Sequence, residues 1–248
     1  MIVLTIDTAT DVVAVAVASG AEVLAAGEVR SERRHAEELT PMIDFVRRRA
    51  DVSFRDLDAI AVDVGPGMFT GMRVGIAAAK SMAYTLDIPT IPVCSLDALA
   101  ADVGVDGFDR SGDRSDDVVV SVLDARRREV YWAMYRPADA PGGNHRRVLD
   151  PQVGSRDDLV ASIRDRGQHV TVLGDWPRQH ADDLVEELAA SSLRCTVVRD
   201  HPGVPRVNAV ARLAAVAALH EQWCEPAALQ AMYLRSPDVT ISWETRPT

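Results

Sequence analysis

Two short stretches combine residue types that handle anions. In "IDTAT", Asp7 follows an apolar run and Thr8 and Thr10 supply hydroxyls. Such a group can hold a metal and a phosphate once a second lobe completes the site, or it can satisfy the backbone of an ordinary hairpin turn. In "GPGMFTGMRVG", residues 65–75, Gly65 and Gly67 permit positive φ and close backbone approach at a turn that enters a helix N-terminus, where unpaired N–H groups attract anions. The spacing G-x-G-x-x-x-G is one residue longer than the dinucleotide fingerprint, and in "GIAAAKS" Ala79 precedes Lys80 where a P-loop has glycine. Spacing therefore favours a tight turn that sets the following helix.

Other chemistries find little support. His35, His145, His169, His180, His201 and His220 never fall in H-x-x-x-H or H-E-x-x-H register, so a metallopeptidase lacks a ligand pair. Cys94, Cys195 and Cys224 stand far apart with no C-x-x-C, which argues against a disulfide framework and fits a reducing cytosol. Ser95 has no nucleophile elbow. The formal charge of the 248 residues is −10 and Lys80 is the only lysine, so tight unaided binding to nucleic acid is not expected. Apolar runs stay short of the ~18 residues a membrane span needs, and "MIVLTIDTAT" is expected to be a first strand and not a signal peptide. A cytoplasmic protein is expected.

The elements that must hold these residues follow from periodicity. Ile2 to Asp7, Val12 to Ala18 and Glu22 to Arg30 alternate as an antiparallel meander. From His35 to Arg49 the apolar residues fall three and four apart on one helical face, with Pro41 predicting a kink or a new helical start. A buried strand "LDAIAVDVG", a helix over 69–86, a strand "IPTIPV" and a helix "SLDALAADV" follow. Beyond a Gly/Asp-rich stretch at 104–117 come a hairpin turned at Ala125 to Arg128, a loop "PADAPGGNHRR", and a strand "VTVLGDW". A helix "ADDLVEELAASS", a strand "RCTVVR" and an Ala-rich helix over 206–223 complete the order. It predicts an α/β, two-lobed actin-like (ASKHA, sugar-kinase-like) fold with mixed sheets flanked by helices. The expected lobes are 1–104, completed by the helix near 206–223, and 105–205, with 224–248 as an extended tail.

The helix over 69–86 is apolar around most of its circumference. Met72, Gly75, Ile76, Ala79, Ala83 and Leu86 fill one flank and Val74, Ala78 and Met82 another. Such a helix is either covered on every side by its own lobe or leaves an association surface.

With "IDTAT", "GPGMFTGMRVG", "DAR" with "EVYWAMY", and "YLRSPDV" in order along the chain, the sequence resembles the TsaB (YeaZ) family of tRNA threonylcarbamoyladenosine biosynthesis. The glycine segment departs from that family's usual GPGSFTG at Met68. TsaD-like sequences carry a metal-binding histidine pair after the next strand, where this chain reads "VCSLDALA". The resemblance implies a non-catalytic paralogue and partner of TsaD, without cofactor or metal of its own. It would be required for threonylcarbamoyladenosine at adenosine 37 of tRNAs reading codons that begin with adenine. It implies a heterodimer through the first two helices, the TsaE ATPase in a larger complex, tRNA only through that complex, no membrane, and a homodimer for the chain alone. Leu39, Met42, Val46, Met72, Ile76, Ala79 and Ala83 are the expected contacts, with charged Ile76 and Ala79 variants expected to stay folded but lose TsaD. Asp7, Thr8, Thr10, Gly65 and Gly67 are the expected remnant of a nucleotide site. The alternatives are an actin-like ATPase or small-molecule kinase using Asp7 and the glycine turn, and, less favoured, a metallopeptidase.

Overall fold

The computed structural model describes residues 1–31, 34–102, 117–136, 145–166 and 169–235. Apolar runs buried on both faces produce β1 (Ile2–Asp7) and β2 (Val12–Ser19), and an alternating run produces β3 (Glu22–Arg30), together an antiparallel meander. After α1 (His35–Arg49), β4 (Ala59–Gly65) pairs parallel with β1. After α2 (Phe69–Leu86), β5 (Thr90–Cys94) pairs parallel with β4, giving the order β3-β2-β1-β4-β5. Next comes α3 (Ser95–Ala101).

The second sheet is built from β6 (Asp117–Arg126), β7 (Glu129–Arg136), β8 (Arg146–Ser155), β9 (His169–Leu173) and β10 (Arg194–Val197), ordered β10-β9-β6-β7-β8. Its helices are α4 (Arg156–Arg164), α5 (Asp175–Gln179) and α6 (Ala181–Ala189). The chain then returns to the first sheet as α7 (Val207–Leu219). Two mixed five-stranded sheets with flanking helices make the expected two-lobed class.

Strand alternation decides what each face of the first sheet carries. Leu4, Ile6, Val13, Val15, Ile60 and Val62 form one core with α1 and α2. On the opposite face Ala14, Ala16, Ala59 and Ala61 are small, and α7 lies against them through Val207, Val210, Ala211 and Ala214.

An apolar seam joins the lobes, in which Leu96 and Leu99 of α3 meet Val119, Leu123, Ala133 and Tyr135 of the second sheet. Polar groups frame it. Asp97 accepts from the Tyr135 hydroxyl at 2.8 Å and pairs with Arg147. Asp102 accepts the Arg206 backbone N–H at 3.0 Å and faces His201 Nε2 at 3.2 Å. Because His201 Nδ1 accepts the Gly203 N–H at 3.1 Å, its Nε2 carries the proton it gives to Asp102. Tyr135→Phe removes one inter-lobe hydrogen bond and lowers unfolding free energy by about 1 kcal/mol, measured in urea.

Several expectations change. α1 is one helix through Pro41, so no new helix starts there. Arg146 and Arg147, expected in a loop, open β8, and α4 and the short α5 have no counterpart in the sequence-based assignment. β8 is an edge strand interrupted by Pro151, which hides its alternation. The segment 224–235, expected as part of an extended tail, packs on the first lobe: Thr90 and Cys224 exchange backbone hydrogen bonds, Pro226–Ala228 forms a 3-10 turn, and the Met232 N–H bonds the Val64 carbonyl at 2.8 Å. The expected boundary at 104 and the expected tail beyond 235 lie outside the described residues.

Candidate partner-binding helix and glycine turn

The glycine turn is stacked on the turn between β1 and β2. Gly65, at φ +100°, leaves β4 in a conformation other residues avoid. A methyl group at Gly67 would overlap the Ala9 carbonyl, and the Met68 N–H bonds that same carbonyl at 2.7 Å. The Thr8 hydroxyl donates to the Gly71 carbonyl at 2.8 Å, while Gly75 of α2 lies against the same hydroxyl. Gly67, Gly71 and Gly75 thus each meet a backbone or hydroxyl group of residues 8–9.

This packing consumes most of the expected nucleotide-site groups. Asp7 and Thr8 are buried, with Asp7 Oδ1 accepting the Ala9 N–H at 2.9 Å. Thr10 Oγ1 accepts the Val12 N–H at 3.3 Å. A cleft of about 650 Å³ opens between the lobes; of those five residues only Thr10 and Gly67 line it. Across the cleft, a methyl group at Gly174 would overlap the Val122 carbonyl, so that turn faces its own sheet. Asp175 is engaged by the Asp124 and Trp176 N–H groups, and burial pushes its carboxyl upward. Among the described residues, no three His, Cys, Asp or Glu side chains gather as a metal site.

α2 lies between α1 and the segment 224–235. Toward that segment, Lys80 Nζ donates to the Ala227 and Leu229 carbonyls at 3.3 and 3.0 Å. Arg73 stands 3.6 Å over the Phe69 ring and donates to the Tyr233 hydroxyl at 3.0 Å, while Arg235 pairs with Glu129 of β7. The motifs "GPGMFTGMRVG", "EVYWAMY" and "YLR" therefore meet at the start of α2.

The expected contact residues turn inward. Leu39, Val46, Met72, Ile76, Ala79 and Ala83 are buried in the first lobe's own core, and Met42 is half-buried beside Gly27 of β3. Ile76 is 8% exposed and Ala79 0%, so a charge at either position would disrupt the fold itself. The more apolar flank of α2 is the one that covers the sheet. The outward surface carries Val74, Ala78 and Met82, all partly exposed, together with exposed Arg73, Ala77, Ser81, Thr85 and, at 83%, Tyr84. Helical spacing gave both flanks but not which of them meets the sheet.

The profile described as "TsaD: tRNA N6-adenosine threonylcarbamoyltransferase" matches residues 29–161, from the end of β3 into α4. An uncharacterized protein of Mycobacterium tuberculosis is 35% identical over 95% of this chain and 92% of its own. The Escherichia coli protein named tRNA threonylcarbamoyladenosine biosynthesis protein TsaB is 35% identical over 71% of this chain and 69% of its own length. The chain belongs to the TsaB family. YeaZ from Pseudomonas aeruginosa superposes with a TM-score of 0.69 at 23% identity, covering 94% of this chain and 99% of that one, which supports the fold. The TsaD profile spans both α1 and α2, so the helices that carry the exposed flank belong to the part of the TsaB chain that is similar to TsaD.

Proposed function

We propose that this chain is a non-catalytic subunit of threonylcarbamoyladenosine biosynthesis that docks the outward side of α2, with α1 beside it, onto TsaD. The observation that carries the proposal is the outward row Val74, Ala77, Ala78, Met82 and Tyr84, with exposed Ser81 and Thr85 among them, on a helix whose other sides meet the sheet, α1 and residues 224–235. Small side chains in that row let a partner helix approach closely. The match of the TsaD profile to α1 and α2 supports a partner presenting a similar helix pair, and two similar pairs meet about an approximate two-fold axis. A subunit that binds one conformation of TsaD more tightly than others raises threonylcarbamoyl transfer to adenosine 37 without touching the substrate. Commitment of Asp7 to the Ala9 N–H of its own turn and of Thr8 to the Gly71 carbonyl supports a scaffolding role for "IDTAT". In this proposal TsaE and tRNA join the pair, and a homodimer through the same helices forms when TsaD is absent.

Co-expression with TsaD from the same organism, followed by sedimentation analysis, tests the proposal. One-to-one assembly is expected; independent sedimentation of the two proteins at micromolar concentration rejects it.

A further inference from the structure

A buried polar atom without a partner is uncommon in folded chains, and one lies beneath the glycine turn. In the parallel pairing of β1 with β4, Ile6 is opposite Val62, so the next residues, Asp7 and Asp63, stand side by side. Asp7 is 1% exposed and Asp63 0%. Asp63 Oδ1 accepts the Gly65 N–H at 2.7 Å and the Ser95 hydroxyl at 2.6 Å, whereas its Oδ2 has no partner.

Among the described residues, the charges that act most on the pair include no cation. Glu28 of β3 and Asp97 of α3 are the further charges acting on the pair, and both are acidic. The first turn of α2 carries no charged side chain. His35 of α1 is bonded through Nε2 to the Thr10 carbonyl at 2.7 Å. The Cys94 thiol at the end of β5 is pushed up to about 12 by burial and stays neutral. Two opposed carboxylates in so dry a place cannot both be ionised.

We infer that Asp7 and Asp63 share one proton, an acid–carboxylate bridge that fastens the glycine turn to the β1–β2 turn and makes the seating of α2 sensitive to pH. The shared O–H gives Asp63 Oδ2 the partner it lacks. Through their other oxygens the two carboxyls hold the Ala9 and Gly65 N–H groups, one in each turn. Those turns meet in the bonds from Met68 to Ala9 and from Thr8 to Gly71, which fix where α2 begins.

The sign of the pH dependence follows from the proton. Burial pushes the Asp7 carboxyl from 3.8 up to about 7, and burial followed by the charge of Asp7 raises Asp63. Between those limits the folded chain keeps a proton that the unfolded chain has lost. The stabilisation is full below the ordinary carboxylate value and lost as pH rises through about 7.

The test is a carboxyl-carbon NMR titration of the full chain, with thermal melting and amide-exchange protection of residues 68–72 recorded from about pH 5 to about pH 8.5. One carboxyl titrating near neutrality is expected, together with a falling melting temperature and weakening protection at the start of α2 as pH rises. Asp7→Asn, whose amide donates the same bond to Asp63 Oδ2 without titrating, flattens both profiles. Ordinary acidic titration of both carboxyls overturns the bridge, and this outcome needs no variant to fold. A neutral-range titration with unchanged protection of residues 68–72 overturns the coupling to α2. That the affinity for TsaD also weakens, about tenfold over the same range, rests on the docking proposal. Absence of TsaD binding at every pH rejects docking alone, since titration and exchange are read without a partner.

Discussion

Ala78→Glu weakens binding to TsaD about a hundredfold, roughly 2.7 kcal/mol, and leaves unfolding free energy within about 0.5 kcal/mol of wild type. Ala79→Glu, one residue along, behaves differently. Ala78 is partly exposed on the outward side of α2, whereas Ala79 is wholly buried against the sheet. A carboxylate at 79 has no cation or water to meet it, so it costs about 4 kcal/mol or more and the lobe unfolds. Titration calorimetry against TsaD, paired with urea unfolding, separates the two effects. Wild-type affinity in Ala78→Glu, Val74→Glu and Met82→Glu together would place the docking face elsewhere.

The second large effect is at Gly67. Its α-carbon is pressed against the Ala9 carbonyl, so the methyl group of Gly67→Ala forces the glycine turn away from the β1–β2 turn. The Met68 to Ala9 hydrogen bond is lost in that movement. A cost of about 3 kcal/mol is expected, at the upper end for an added methyl group in a packed site, with a melting temperature lower by roughly 6–12 °C. Thr8→Val, which removes the hydroxyl bonded to Gly71, loses about 1 kcal/mol. A Gly67→Ala protein as stable as wild type would show that the two turns are not held together as described.

How much of this was legible beforehand differs by element. In the first lobe β1 and β2 are apolar runs, β3 alternates, and α1 and α2 repeat every three to four residues, so their existence followed from pattern alone. The orientation of α2 did not. A helix with two apolar flanks does not declare which meets its sheet, and Ile76 and Ala79 were assigned to the wrong side; the larger, more apolar flank went to the core because burial there is worth more. β8 was hidden by Pro151 and its charges. α4, by contrast, carried a readable signal in Ser155 and Asp158, which cap its start reciprocally. Asp7 and Thr8 were marked for a nucleotide-site remnant; the Ala9 N–H and the Gly71 carbonyl that they bond depend on turn packing that spacing does not encode.

The first lobe draws on both early and late parts of the chain. Its sheet is complete by residue 94, yet α7 and the segment 224–235 that brace it are translated only after the entire second lobe. At about 5–20 residues per second, a ribosome leaves the sheet half-braced for roughly 7–28 seconds before the last brace arrives. Nascent chains in that interval are the ones a chaperone has to shield.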